Sequence, residues 1–449
     1  MGRPLIEDSP GEATTPVTSR FFYGWVIVVV GIFVMALAYG VRYSFAVVFS
    51  SLLEEFQWSR GAAAAILSLH LLAYGVTAPV AGTLVDRIGA RRTMSLGAVL
   101  LALGAATSGL GSALWHFYLS FGLLMGVGIC LVGAVPFTRI IGNWFAVRRG
   151  LALSLLFFGS GGAYLLYPLV ALLIGRIGWR GAFVMEAAIA AGLLLPAVAF
   201  LIRNSPQERG LLHGGSFKPT PAPPVPDVEQ ALTTGAVGTG VSPDMDVADW
   251  TLRKAMKSLR FWALCLCAFS VWGITEHILV AHHIAFAEDM GYSKLYASAV
   301  LALFGVLMSV GALLGLVSDR IGREATFGIG TVVGVTGIVV LMLIRDTSQP
   351  WMLYVYPILF GLGFGMTSPT IAAAATDMFQ GQRAGAVIGF VWFAFAVGGT
   401  IGPWLGGYIF EAVGSYQPAF LISAVSFVVA CIALWVAAPR RAKRRAGWG

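Results

Sequence analysis

The feature that most restricts this chain is a succession of apolar runs, each about as long as a membrane is thick. A helix needs ~20 mostly apolar residues to cross a hydrocarbon core. Such runs stand at 22–50, 60–85, 92–112, 114–142, 150–175 and 181–202, and a second set at 260–287, 295–318, 325–344, 350–378, 384–410 and 417–438. The spacing predicts an all-α membrane protein with twelve transmembrane helices in two groups of six. Composition closes the other classes. Of 449 residues, 58% are hydrophobic and 11% charged, against ~25% charged in a soluble domain. So little polar surface cannot enclose a water-soluble core. Cys130, Cys265, Cys267 and Cys431 all lie in apolar runs and read as buried, inert thiols.

Between the groups, 204–257 is polar and carries Pro219, Pro221, Pro223, Pro224 and Pro226. A segment of that kind reads as a flexible linker, and its end, Ala248 to Leu259, as a basic interfacial helix. The organisation expected is a cytoplasmic tail 1–21, a six-helix bundle 22–203, a cytoplasmic linker 204–257, a second bundle 258–438 and a basic cytoplasmic tail 439–449. The net charge of +8 does not point to nucleic acid, because the basic residues sit between apolar runs as topology signals. With the N-terminus inside, 22 of the 29 Lys and Arg residues fall in cytoplasmic segments and five in outer loops. That bias predicts both termini in the cytoplasm. The polar start up to Arg20 has no secretory apolar region. With the short loops, this points to a multi-pass plasma-membrane protein of the bacterial inner-membrane kind, acting as a monomer in the lipid bilayer.

The two groups repeat one another at offsets of 233 to 237 residues. Trp58-Ser59-Arg60 matches Tyr292-Ser293-Lys294, and Gly82 to Gly89 matches Gly315 to Gly322, including Asp86-Arg87 against Asp319-Arg320. Pro168 matches Pro403, and Ala182-Phe183 matches Ala419-Phe420. Parallel six-helix repeats are a common plan of secondary transporters, with the substrate site near the midplane. Gly82-x3-Asp86-Arg87-x-Gly89-x-Arg91-Arg92, with its weaker copy at Gly315 to Arg323, resembles the loop signature of the major facilitator superfamily. The resemblance implies a gating latch on the cytoplasmic side, formed by Gly82, Asp86, Arg87, Gly89, Asp319 and Arg320. Arg139, in span four, is a further gating candidate that also reads as a snorkelling side chain. Tyr23-Gly24-Trp25, Phe56-Gln57-Trp58-Ser59-Arg60 and Trp144-Phe145-x2-Arg148-Arg149-Gly150 resemble the bacterial monocarboxylate and oxalate/formate branch. That similarity implies proton-linked or exchange transport of small organic acids. Relatives of this kind carry a charged anchor in span eight, whereas 295–318 has no charge here. Either Arg42 takes over that task or the substrate is not a simple carboxylate.

An ionisable side chain inside a span costs about 2.5–3.5 kcal/mol on insertion scales and normally faces a cavity or a partner. Arg42, with Tyr39 one turn before it, lies about two-thirds across span one at ~1.5 Å per residue. It reads as an anchor for an anion, or else as a structural arginine near the outer face. Span seven holds Trp272, Glu276, His277, His282 and His283. At ~100° per residue, Glu276 and His283 share a stripe, and Glu276, His282 and His283 are the candidates for proton coupling. Spans one and seven are repeat-equivalent, so Arg42, Glu276 and one histidine are expected to meet. Phe364 and Thr367 in span ten are candidate lining residues. Glu186 is expected to pair with Arg180, Asp377 with a local charge such as Arg383, and His70 to be a hydrogen-bonded core residue.

No metal site, nucleotide-binding loop or catalytic triad is visible, so the chain is expected to be neither an enzyme nor dependent on a cofactor. The reading is a secondary transporter of a small organic anion, such as a monocarboxylate, with protons, by alternating access. The alternative is a proton-driven exporter of drugs or other amphiphiles, built on Trp272, Trp392, Phe364 and Phe393.

Overall fold

The computed structural model describes residues 22–145, 149–209, 250–315, 318–379 and 384–437. The tails and the linker residues 210–249 lie outside the described residues, as do the side chains of Asp86, Asp319 and Arg320. Ten helical stretches among the described residues are long and apolar enough to cross a membrane.

The first half begins with α1 (Tyr23–Phe56), interrupted for one residue at Ser44, whose hydroxyl donates to the Val41 carbonyl. Next come α2 (Arg60–Ile88), α3 (Ala90–Gly109) and α4 (Leu114–Trp144). The 44-residue stretch Phe158–Leu201 folds back at Gly178, which has φ 71°. Its limbs are α5 (149–177) and α6 (179–201). The second half comprises α7 (Leu259–Asp289), α8 (Lys294–Leu314), α9 (Arg323–Leu343), α10 (Pro350–Met378), α11 (Ala384–Val413) and α12 (Gln417–Ala437). Ahead of α7 the expected interfacial helix is reduced to one turn, Leu252–Ala255, capped by the Thr251 hydroxyl. Met256 to Ser258 leave the helix there, and Trp250 packs edge-on against Phe379.

The sequence repeat is also a backbone repeat. Ser59 and Ser293 cap α2 and α8 in the same way, each hydroxyl accepting from the amide three residues on. Gly89 (φ 84°) and Gly322 (φ 102°) turn the chain into α3 and α9 through a left-handed conformation that a β-carbon would strain. The halves meet along three seams: α2 on α11, α5 on α8, and the second part of α1 on α7. Small residues set these approaches, with Gly75 against Ala396 and Gly161 against Ser309 and Gly305. Without a hydrophobic driving force between helices in lipid, such contacts supply the packing energy.

Of four π-turns among the described residues, two receive histidines in the interior, Tyr118–Met125 in α4 and Phe269–Thr275 in α7. A π-turn shifts the hydrogen-bond register and frees a carbonyl for a side chain. His70 Nδ1 lies 3.0 Å from Phe121 O, and His277 Nδ1 2.8 Å from Trp272 O. The turn in α7 also lets it cross α11 at close range. A β-carbon on Gly273 would stand 2.6 Å from Gly398 Cα, whereas one on Gly389 would meet nothing within 4 Å. Gly273→Val is therefore expected to destabilise the protein by roughly 1–3 kcal/mol, read as a melting temperature several degrees lower in detergent. Gly389→Ala is expected to leave it unchanged or slightly higher.

Candidate transport site

The site forms where α1, α2, α5 and α7 come together, at the level of their irregular turns. α1 contributes Tyr39, Arg42 and Tyr43 from the turn just before Ser44. Arg42 is 3% exposed. Its Nη2 donates to His277 Nε2 at 3.0 Å, and its guanidinium carbon lies 5.5–5.7 Å from the ring centres of Tyr39, Tyr43 and Tyr74. Cation–π contacts contribute about 0.5–2 kcal/mol each, and they are what holds the charge in place. Arg42 makes no salt bridge among the described residues, and its buried Nε has no hydrogen-bond partner.

The partners of His277 fix its tautomer. The Trp272 carbonyl can only accept, so Nδ1 carries the hydrogen. Arg42 can only donate, so Nε2 presents its lone pair. α5 enters through a 3₁₀ turn, Ala163–Leu166. Tyr164 stacks on Tyr43 at 4.4 Å and donates its hydroxyl to Glu276 Oε1 at 3.3 Å. Tyr39 and Tyr74 face each other with hydroxyls 3.5 Å apart. Arg42, Tyr43, Tyr167, Glu276 and His277, with Leu67 and Val280, enclose a cavity of about 10 Å³. That is room for about one water, so an organic molecule fits there only after the walls move apart.

Of the residues singled out in the sequence, Arg42, Tyr39 and Glu276 are gathered here. The histidine that meets Arg42 is His277, on the turn that follows the π-register shift. His282 Nε2 bonds the Pro403 carbonyl at 2.7 Å, with its ring edge-on to Phe49. His283 stacks on Tyr356 of α10 at 5.5 Å. Phe364 packs among Phe304 and Phe360, and the Thr367 hydroxyl donates to the Phe364 carbonyl; neither lines the cavity. Trp272 stacks on Trp392 at 4.9 Å and donates to Ser368. The Glu186–Arg180 pairing expected locally is replaced, and Arg383, the partner expected for Asp377, lies outside the described residues. Arg180 pairs with Glu55 at 2.7 Å, because the Gly178 fold brings it to the end of α1. Glu186 is buried, with neither carboxylate oxygen hydrogen-bonded. Asp377 pairs with Arg323 at 3.1 Å.

The two ends of the bundle differ. At the end where α1 begins and α12 finishes, Arg87 and Arg139 are exposed and Gly82 has open space beside it. The Gly89 turn is tied within its own half: Asn204 accepts from the Arg91 amide, the Asn204 carbonyl from Asn143, and the Arg203 carbonyl from Trp144 Nε1. At the opposite end the halves are locked to each other. Arg60 donates to both Asp289 oxygens at 2.6 and 2.8 Å and to the Tyr416 hydroxyl at 2.8 Å, and covers the Phe410 ring at 3.8 Å. The Gly61 amide bonds Glu411, and Lys294 at the start of α8 reaches Ser51 of α1 at 2.8 Å. Arg60 reads in sequence as an ordinary loop charge. Only tertiary structure supplies its partners.

The model of the Major Facilitator Superfamily matches this sequence over residues 31–399 and 310–447. Monocarboxylate transporter 11 of Homo sapiens is 30% identical over 93% of this chain and 83% of its own length. Monocarboxylate transporter 13 of Rattus norvegicus is 26% identical over 89% and 86%, and the uncharacterised MFS-type transporter YcxA of Bacillus subtilis 24% over 86% and 88%. Among solved structures, a D-xylose-proton symporter superposes with a TM-score of 0.69 at 17% identity, covering 92% of this chain and 97% of that one. An inward-facing bacterial homologue of the lysosomal transporter Spinster gives 0.65 at 15% identity, covering 94% and 97%. At these identities the structural likeness concerns the fold alone.

The lock makes a direct expectation. A partly exposed ion pair is worth about 1 kcal/mol, or about fivefold in a two-state population. Arg60→Gln or Asp289→Asn is expected to raise, by about that factor, the labelling rate of a cysteine at Ala46, beside the cavity, by a membrane-impermeant maleimide added at the Arg60 end. Unchanged labelling would show that the pair does not hold that end closed.

Proposed function

This chain belongs to the Major Facilitator Superfamily, and from that premise we propose that it is a proton-coupled secondary transporter of a small organic anion, a monocarboxylate, working by alternating access. The observation that carries the anion is Arg42. A buried guanidinium held by a neutral imidazole and aromatic faces, with no carboxylate bonded to it, has donors left for a planar anion that matches its fork. Among the described residues it is the one cation on the wall of this cavity, which favours a monoanion over a dianion. The monocarboxylate transporters among its relatives support the same substrate class.

In this reading α1–α12 are twelve spans, with the two limbs about Gly178 counted separately and α3 included. The Lys and Arg bias puts both termini in the cytoplasm, so the Arg60–Asp289 lock closes the outer mouth. Residues 204–257 link the two six-helix bundles, 22–203 and 258–438, on the cytoplasmic side. The latch of Gly82, Asp86, Arg87, Gly89, Asp319 and Arg320, with Arg139 nearby, works on that side. Proton coupling falls to the polar turn Glu276–His277 of α7, and His282 and His283 are left to packing against α11 and α10. The protein acts as a monomer in a plasma membrane.

One feature favours a second reading, the export of amphiphiles: Trp392, 37% exposed, stacked on the buried Trp272.

Ligand-dependent thermal stabilisation of the purified protein separates the two. Lactate, benzoate, oxalate, a neutral amide and a lipophilic amine would be added at pH 5.5 and 7.5 to wild type and to Arg42→Gln. A ligand at 100 times its Kd stabilises by about 2.7 kcal/mol. A monocarboxylate is expected to raise the melting temperature by several degrees in wild type and by nothing in Arg42→Gln. Stabilisation by the amine, equal in both proteins, would overturn the anion reading and support export.

A further inference from the structure

We infer that Nε2 of His277 is the proton-binding site of the transport cycle, and that a proton and the Arg42 hydrogen bond exclude one another at that atom. The inference rests on the anion reading and names the atom that couples it to protons.

Both ring nitrogens of His277 are committed. Nδ1–H is fixed on the Trp272 carbonyl at 2.8 Å, so a proton can add only to the Nε2 lone pair. That lone pair points at Arg42 Nη2 from 3.0 Å. Once protonated, Nε2–H and the guanidinium N–H are two donors of like charge facing each other with no acceptor between them. A carboxylate resolves the conflict, because one oxygen accepts from Nε2–H and the other from Arg42. The anion and the proton therefore hold each other in place. A proton alone puts a second buried cation beside Arg42, and an anion alone sets one of its oxygens against the Nε2 lone pair, whereas the two together leave the site with the charge it had when empty. One proton from water on one side adds to the Nε2 lone pair, and the same proton leaves to water on the other side after the anion. No other bond changes. The position of the pair suits this cycle, since His277 lies on α7, across the seam from Arg42 on α1, and separation of the halves parts them.

The other charged and titratable groups around the ring are placed differently. α1 contributes Arg42, Tyr39 and Tyr43; α2 contributes Tyr74 and His70; and α5 contributes Tyr164 and Tyr167. The His70 Nδ1 is spent on Phe121 O, and its Nε2 has no donor against it. Glu276, adjacent on α7, accepts from Tyr164 and makes no hydrogen bond with His277. α11 presents the Phe395 ring and the backbone of Gly399 and Gly402. His277 is therefore the group whose protonation directly opposes a contact made by the anion anchor.

The test is equilibrium binding of lactate and of benzoate to the purified protein between pH 5.5 and 8, where both acids stay ionised. Wild-type affinity is expected to rise ~tenfold for each unit the pH falls, the limiting slope for one linked proton. In His277→Gln the amide oxygen can accept from Arg42, but the side chain takes no proton. Binding is expected to persist with a flat pH profile. Should His277→Gln fail to fold, His277→Asn, which keeps a donor for the Trp272 carbonyl, replaces it. Binding that is pH-independent in wild type overturns the inference, as does a slope that survives in the His277 variant. Both outcomes leave the anion reading standing. That reading fails separately if neither acid binds wild type at any pH.

Discussion

A guanidinium withdrawn from water is tolerated only when something else supplies its electrostatics. In this protein the supply is unusual. Arg42 has one neutral imidazole and three tyrosine faces, and no carboxylate bonded to it. Much of the interior can be understood as the means of holding that charge. Tyr39 and Tyr43 come from its own helix, one turn and one residue away. Tyr74 is steadied by Tyr39, and Tyr43 is stacked under Tyr164. Glu276 stands on the far wall of the same small cavity, bonded to Tyr164. A well-packed apolar core in its place would be more stable. The arrangement makes sense where an incoming anion completes it.

Three of the four elements that build the site depart from regular helix. α1 is interrupted at Ser44, α5 tightens at Ala163–Leu166, and α7 widens at Phe269–Thr275. Each departure does local work. The widening of α7 frees the carbonyl that fixes the His277 tautomer, and it brings Gly273 onto Gly398. The contacts between halves run from the Arg42–His277 bond at the centre to the Arg60–Asp289 lock at one end. A rocking motion that breaks the lock therefore also separates the anchor from its imidazole, which links access to the site with the state of the site.

Much of the architecture was legible in the sequence, because it rests on local signals. Apolar length marks the helices, serine caps mark the starts of α2 and α8, and the repeated Asp-Arg-x-Gly turns carry the positive-φ glycines at 89 and 322. Arg42 and Glu276 were legible because an ionisable group in a span needs a partner. The choice of histidine was not. A uniform rotation of ~100° per residue puts His283 on the Glu276 stripe, but two turns further along α7 the neighbour is Tyr356. The residue that meets Arg42 is decided by a π-turn that no residue type announces. The tyrosine cage left a trace, Tyr39-x3-Tyr43 on one helix and Tyr164-x2-Tyr167 on another, with spacings that put each pair on one face. The Arg180–Glu55 and Arg323–Asp377 pairs left none, since each joins helices distant in sequence.

The central claim is that a monocarboxylate and a proton cross the membrane together through the Arg42 site. Flux into proteoliposomes under an imposed pH gradient tests it most directly, with an entrapped pH dye and radiolabelled lactate or benzoate followed in the same vesicles. The account predicts acid accumulation driven by the gradient, dye acidification at one proton per anion, and neither signal in vesicles carrying Arg42→Gln. Uptake of label without proton movement, or equal uptake through Arg42→Gln, would contradict it.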